Sequence, residues 1–106
     1  MSAQIGIKPK AKKLVKGGIK AETIQTLENI KKSLNKYNYT TNDVVKCMVM
    51  LTDIGDFATF NEVYVDYFKP PYPARSVLAL KELALGASVE VECVAIAQAQ
   101  NNLHTD

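Results

Sequence analysis

The sequence has no tryptophan, one histidine, one arginine and two cysteines. Each scarcity removes a class of function. The lone histidine, His104, lies in a polar C-terminal stretch. No Ser-His-Asp set can form around it, and it has no companion at metal-ligand spacing, so no metal is expected. The chain also lacks a P-loop and a dinucleotide fingerprint, which leaves no expected cofactor. No apolar run is long enough to span a membrane. The start, Met1 to Ile7, lacks the charged entry and apolar centre of a secretory signal, and no arginine precedes position 75 to suggest a transit peptide. A cytoplasmic location is expected. Cys47 and Cys93 both sit inside apolar runs and read as reduced, packed thiols of a cytosolic protein rather than a disulfide.

At 106 residues there is room for one domain, and 47% apolar content is enough for one modest core. Residues 98–106 form a polar tail, leaving 1–97 as the domain. The net charge of +2 is too small to argue for nucleic acid. Lys8, Lys10, Lys12, Lys13, Lys16 and Lys20 make a basic segment, but no aromatic interleaves with them. The stacking half of a single-strand surface is absent, so a nucleic-acid partner is not expected. A solvated strand–turn connection ending at Gly17-Gly18 suits these residues better.

Periodicity predicts a helix over 21–35, with Ile24, Leu27, Ile30 and Leu34 as the buried stripe and Glu22, Glu28, Lys31 and Lys32 on other faces. Residues 44–51 are apolar except for Lys46, without alternation, and predict a central strand covered on both sides. A turn at 52–56 offers Asp53 or Asp56 as a cap. A second helix over 57–68 carries Phe57, Phe60, Val63, Tyr64 and Tyr67 on its core face. Strands follow over 75–83 and 89–97. In the last strand, Val89, Val91 and Cys93 share one face, and Glu90, Glu92, Val94 and Ile96 share the other.

Two helices cover one face of such a sheet. The second face still carries apolar residues, and a two-layer domain would leave them wet. Burial against copies of the same chain is the economical solution, which predicts a homo-oligomer.

Arg75 follows Pro70-Pro71-Tyr72-Pro73-Ala74, three prolines within four residues that stiffen its approach. The other twelve basic side chains are lysines. A guanidinium fork matches a carboxylate bidentately and an ammonium does not, which marks Arg75 as a binding candidate. With histidine chemistry excluded, acid–base work falls to carboxylates. Glu90, flanked by Val89 and Val91 on the second face, is the candidate.

Pro73-Ala74-Arg75-Ser76, fifteen residues ahead of Val89-Glu90-Val91-Glu92, resembles the reactive-intermediate deaminase (RidA, or YjgF) family. Gln25 to Ile30, Asp43 to Lys46, Leu51-Thr52-Asp53, Phe60 to Tyr64 and Ser2-Ala3-Gln4-Ile5 resemble further motifs of that family in the same order. The resemblance implies a chorismate-mutase-like α+β fold with two helices on one face of a sheet. It also implies a homotrimer with sites between subunits. The implied activity is hydrolysis of 2-aminoacrylate-type enamines and imines to 2-keto acids and ammonia. By that resemblance Arg75 holds the substrate carboxylate, Glu90 activates water and Ser2 lines the site. Val77 stands where many members have a cysteine, leaving a main-chain contact. Members carry a stretch ahead of the Ser2 motif that supplies a site tyrosine. Here Met1 directly precedes Ser2, which implies missing or shortened first strands. The alternative reading is therefore a non-catalytic relative that binds small carboxylates or a protein or RNA partner.

A link as short as 84–88 makes the last two strands antiparallel. Counting from that turn puts Arg75 and Glu90 about seven residues apart, on the order of 20 Å along the sheet. Two residues so placed serve one small acid only from different subunits.

Overall fold

The structure, a computed structural model, describes residues 6–8 and 13–96. The expectations for Ser2, for His104 and for the tail at 98–106 lie outside the described residues. β1 (Ile7–Lys8) and β2 (Lys13–Leu14) pair as a short antiparallel hairpin. Then come α1 (Gly18–Lys36), β3 (Val44–Leu51), α2 (Phe57–Tyr67), β4 (Ala74–Ala79) and β5 (Val89–Ala95). The main sheet runs β4-β3-β5, with β4 parallel and β5 antiparallel to β3. The central position of β3, the α+β class and the antiparallel relation of the last two strands agree with the sequence reading.

α1 begins where Gly17 and Gly18 take positive φ (119° and 75°), which side-chain-bearing residues rarely adopt. It closes at Asn38, at φ 66°, where the Tyr39 N–H returns to the Leu34 carbonyl at 2.8 Å. The next turn is a capping box. Thr40 N–H donates to Asp43 Oδ2 at 2.8 Å, and Asn42 N–H donates to Thr40 Oγ1 at 3.2 Å. Asp53 accepts from Gly55 N–H at 2.9 Å in the turn ahead of α2. Asp56 makes no side-chain cap.

Leu27, Ile30 and Leu34 of α1 and Phe60, Val63 and Tyr64 of α2 pack onto Val49 and Leu51 of β3 and Val89 and Val91 of β5. Burying each such side chain stabilises the fold by about 1.5–3 kcal/mol. The helical stripe of α1 is rotated from the expected one. Ile24 is exposed, while Glu22, Thr23 and Thr26 are buried. Hydrogen bonding explains the exchange. Thr23 and Thr26 donate back to the carbonyls of Ile19 and Glu22, and the Glu22 carboxylate accepts the Ser88 N–H at 2.7 Å. A hydrophobicity count misses polar residues that are satisfied this way. Gly6 packs so closely on this turn that a Cβ there would stand 2.8 Å from the Glu22 carbonyl oxygen.

The cysteine expectation is corrected. Cys47 and Cys93 are buried as read, but they form a disulfide. The β3–β5 register sets them directly opposite each other on the helix side of the sheet, a pairing that two separate apolar runs do not reveal. β4 also ends at Ala79 rather than continuing to 83, and residues 84–86 form a short 3-10 turn with Leu85 at φ 59°.

Candidate functional site

Pairing fixes which side chains share a face. Cys47, Val49 and Leu51 of β3 are buried beneath the helices. Their partners on β4 are Arg75, Val77 and Ala79, and on β5 Cys93, Val91 and Val89. The second face carries Ser76, Met48 and Glu92 in one row and Leu78, Met50 and Glu90 in the next. Arg75 therefore belongs to the helix face and Glu90 to the opposite one.

Arg75 sits over α2 at the β4 edge. Its Nη1 donates to Asn61 Oδ1 at 2.6 Å. Its guanidinium lies 4.7 Å from the Tyr64 ring centroid and 5.1 Å from that of Phe57. Phe57, Asn61 and Tyr64 recur at four- and three-residue spacing, so one helix face supplies both ring platforms and the polar anchor. The guanidinium is exposed, and its remaining N–H groups have no partner among the described residues. With Asn61, Tyr64, Val65, Tyr72 and Pro73 it lines a cleft of about 390 Å³. A planar cation fixed on two rings, with donors left over, suits a small carboxylate.

A second cleft, about 430 Å³, lies on the other side of the proline segment, between Thr41–Asn42 and Pro70–Pro71. Lys69 is the cation among its lining residues. The Pro70–Pro71 peptide bond is cis.

Glu90 is half-buried, opposite Met50. Val77 is partly buried against the core, on the same face of β4 as Arg75. Arg75 aligns with Cys47 and Glu90 with Met50, an offset of three residues along β3. That is about 10 Å along the strands and about 10 Å across them. The expected 20 Å along the sheet is thus halved, because β4 stops early and the link to β5 is not a tight hairpin. Opposite faces, more than distance, keep the two side chains apart within one chain.

Asn61 and Tyr64 are the residues the sequence reading did not assign to a site. Tyr64 was absorbed into the aromatic core stripe. The available signal was a polar Asn61 inside that stripe. Burial raises the Tyr64 pKa, and the charge of Arg75 opposes this. Among the described residues there is no group of three or more His, Cys, Asp and Glu able to hold a metal ion.

The family described as Endoribonuclease L-PSP matches residues 1–97. The human 2-iminobutanoate/2-iminopropanoate deaminase is 42% identical over 96 residues, covering 91% of this chain and 70% of that protein. The crystal structure of RidA from an Antarctic Psychrobacter superposes with TM-score 0.86 at 41% identity, covering 91% of this chain and 78% of that one. E. coli TdcF, solved with bound serine, gives TM-score 0.84 at 29% identity, covering 91% and 77% respectively.

Proposed function

This chain belongs to the RidA/YjgF family, and from that premise we propose that it hydrolyses 2-aminoacrylate-type enamines and imines to 2-keto acids and ammonia. The observation that carries the reading is the Arg75 guanidinium, fixed on two rings and by Asn61, with donors open to a small cleft. The deaminase relative, whose named substrates are imino acids with a carboxylate, and the serine bound to TdcF support the same ligand class.

In this reading Arg75 grips the substrate carboxylate, and Ser2 and the main chain of Val77 border the site. Glu90 takes a proton from water as its oxygen attacks the imine carbon. Glu90 returns that proton to the nitrogen of the resulting carbinolamine, and as the C–N bond breaks the nitrogen takes the hydroxyl proton and leaves as ammonia, with the 2-keto acid remaining. One water is consumed and no cofactor takes part. Because Arg75 and Glu90 occupy opposite faces of one sheet, the site is completed between subunits. The apolar second face, with Leu78, Val94 and Ile96 exposed, is the surface that a homotrimer would bury.

A coupled assay tests the reaction. A pyridoxal-phosphate-dependent dehydratase generates 2-aminoacrylate from serine, and pyruvate release is timed with and without this protein. Faster release is the expected outcome. An unchanged time course from a protein that still binds 2-oxobutanoate would favour the non-catalytic carboxylate binder.

A further inference from the structure

Val65 is 40% exposed and Tyr72 is 50% exposed, and both line the Arg75 cleft. Apolar side chains scattered singly over a surface need no reason. These two share one concavity with a fixed cation. Val65 lies one helical turn beyond Asn61, whose side chain bonds Arg75, so the two project from the same face of α2. Tyr72 stands between Pro71 and Pro73. Both prolines fix their own φ, and Pro73 biases Tyr72 toward extended geometry. Chain stiffness thus places a residue that packing leaves half open. The cleft, at about 390 Å³, falls within the size range of pockets that take drug-sized ligands, more than a three- or four-carbon acid fills.

We propose that Val65 and Tyr72 form an apolar subsite for the side chain of the acid that Arg75 holds. This chain then favours 2-keto and 2-imino acids with branched aliphatic side chains over those of three or four carbons. The inference rests on the Arg75 reading above and deepens it by naming a substrate class. The two parts of the cleft divide the work. Arg75 fixes the carboxylate, which every acid of the class carries. Val65 and Tyr72 meet the side chain, where the acids differ. Neither carries a charge, so a charged side chain would lose water there without gaining a partner. An aliphatic one gains from leaving water, by about fourfold in affinity for each methylene fully covered.

Calorimetric titration compares 4-methyl-2-oxopentanoate with 2-oxobutanoate, which share the 2-keto carboxylate head and differ only in the side chain. The parent should bind the branched acid about fivefold tighter or more, short of the limit for full burial because the cleft is open. With Val65→Ala and Tyr72→Ala combined, the two affinities should converge to within about twofold, and 2-oxobutanoate should bind about as it does to the parent. Val65→Ala alone should remove part of the preference. Val65 lines the Arg75 cleft and not the one beyond the proline segment, so that loss assigns the subsite to this cleft. Equal binding of the two acids by the parent overturns the proposal, a result that needs no variant to fold. So does a preference that survives in the double variant, or one that Val65→Ala leaves untouched. Arg75→Lys is run in parallel. If it weakens both acids while the parent binds them equally, the apolar subsite alone fails. If neither acid binds the parent, or Arg75→Lys binds both as well as the parent does, the reading of the Arg75 cleft fails too.

Discussion

Arg75 was legible as a residue because it is the single guanidinium in a lysine-rich chain, placed behind rigid prolines. Its surroundings were not legible. The contacts with Asn61, Phe57 and Tyr64 span fourteen, eighteen and eleven positions of sequence and depend on how β4 lies across α2. The geometry sets the outcome of Arg75→Lys. An ammonium keeps the charge but offers neither a flat face to the two rings nor a bidentate edge to a carboxylate. Affinity for 2-oxobutanoate should fall by about 1–3 kcal/mol. Isothermal titration at constant ionic strength checks this, and parent-like affinity would refute the fork.

Among the elements, both helices and the central strand were readable because apolar periodicity and turn chemistry agree along them. The rotation of α1 was not, since buried Glu22, Thr23 and Thr26 are held by hydrogen bonds that hydrophobicity does not register. The Cys47–Cys93 bond was missed for a related reason, because register is a property of paired strands and neither strand carries it alone. The two helices are also tied to each other by the Tyr67 hydroxyl, which donates to Glu28 Oε2 at 2.6 Å. Burial first, then this bond and the nearby carboxylates, raise the Tyr67 pKa far above its ordinary 10.0. The folded state thus favours the neutral phenol. Its contribution is complete below pH 10 and is lost as pH climbs toward the folded value, at no more than about 1.4 kcal/mol per pH unit. Denaturant midpoints at pH 8 and pH 11 should show Tyr67→Phe less stable than the parent at pH 8, with the gap narrowing at pH 11. The two proteins differ only in the phenol, so the comparison isolates it. A gap that does not change with pH would contradict this.

At the scale of the whole molecule, the single chain leaves two things unfinished. Its sheet exposes Leu78, Val94 and Ile96 on the face away from the helices, and its two candidate reacting groups stand on opposite faces. A closed ring of three chains would resolve both, by covering the apolar face and bringing Arg75 of one chain toward Glu90 of the next. Light scattering at micromolar concentration should then report three chains, and activity should fall on dilution below the assembly constant. Subunit mixing gives the sharper test. Arg75→Ala and Glu90→Ala chains should each be inactive alone. After joint dissociation and reassembly, some interfaces would regain an intact Arg75 facing an intact Glu90, and part of the activity should return. Wild-type chains carried through the same treatment control for losses in refolding. If mixed trimers form, the wild type recovers and the mixture stays inactive, both groups serve a site within one chain. The sheet register argues against that outcome, because it sets Arg75 on the helix side of the sheet and Glu90 on the far side.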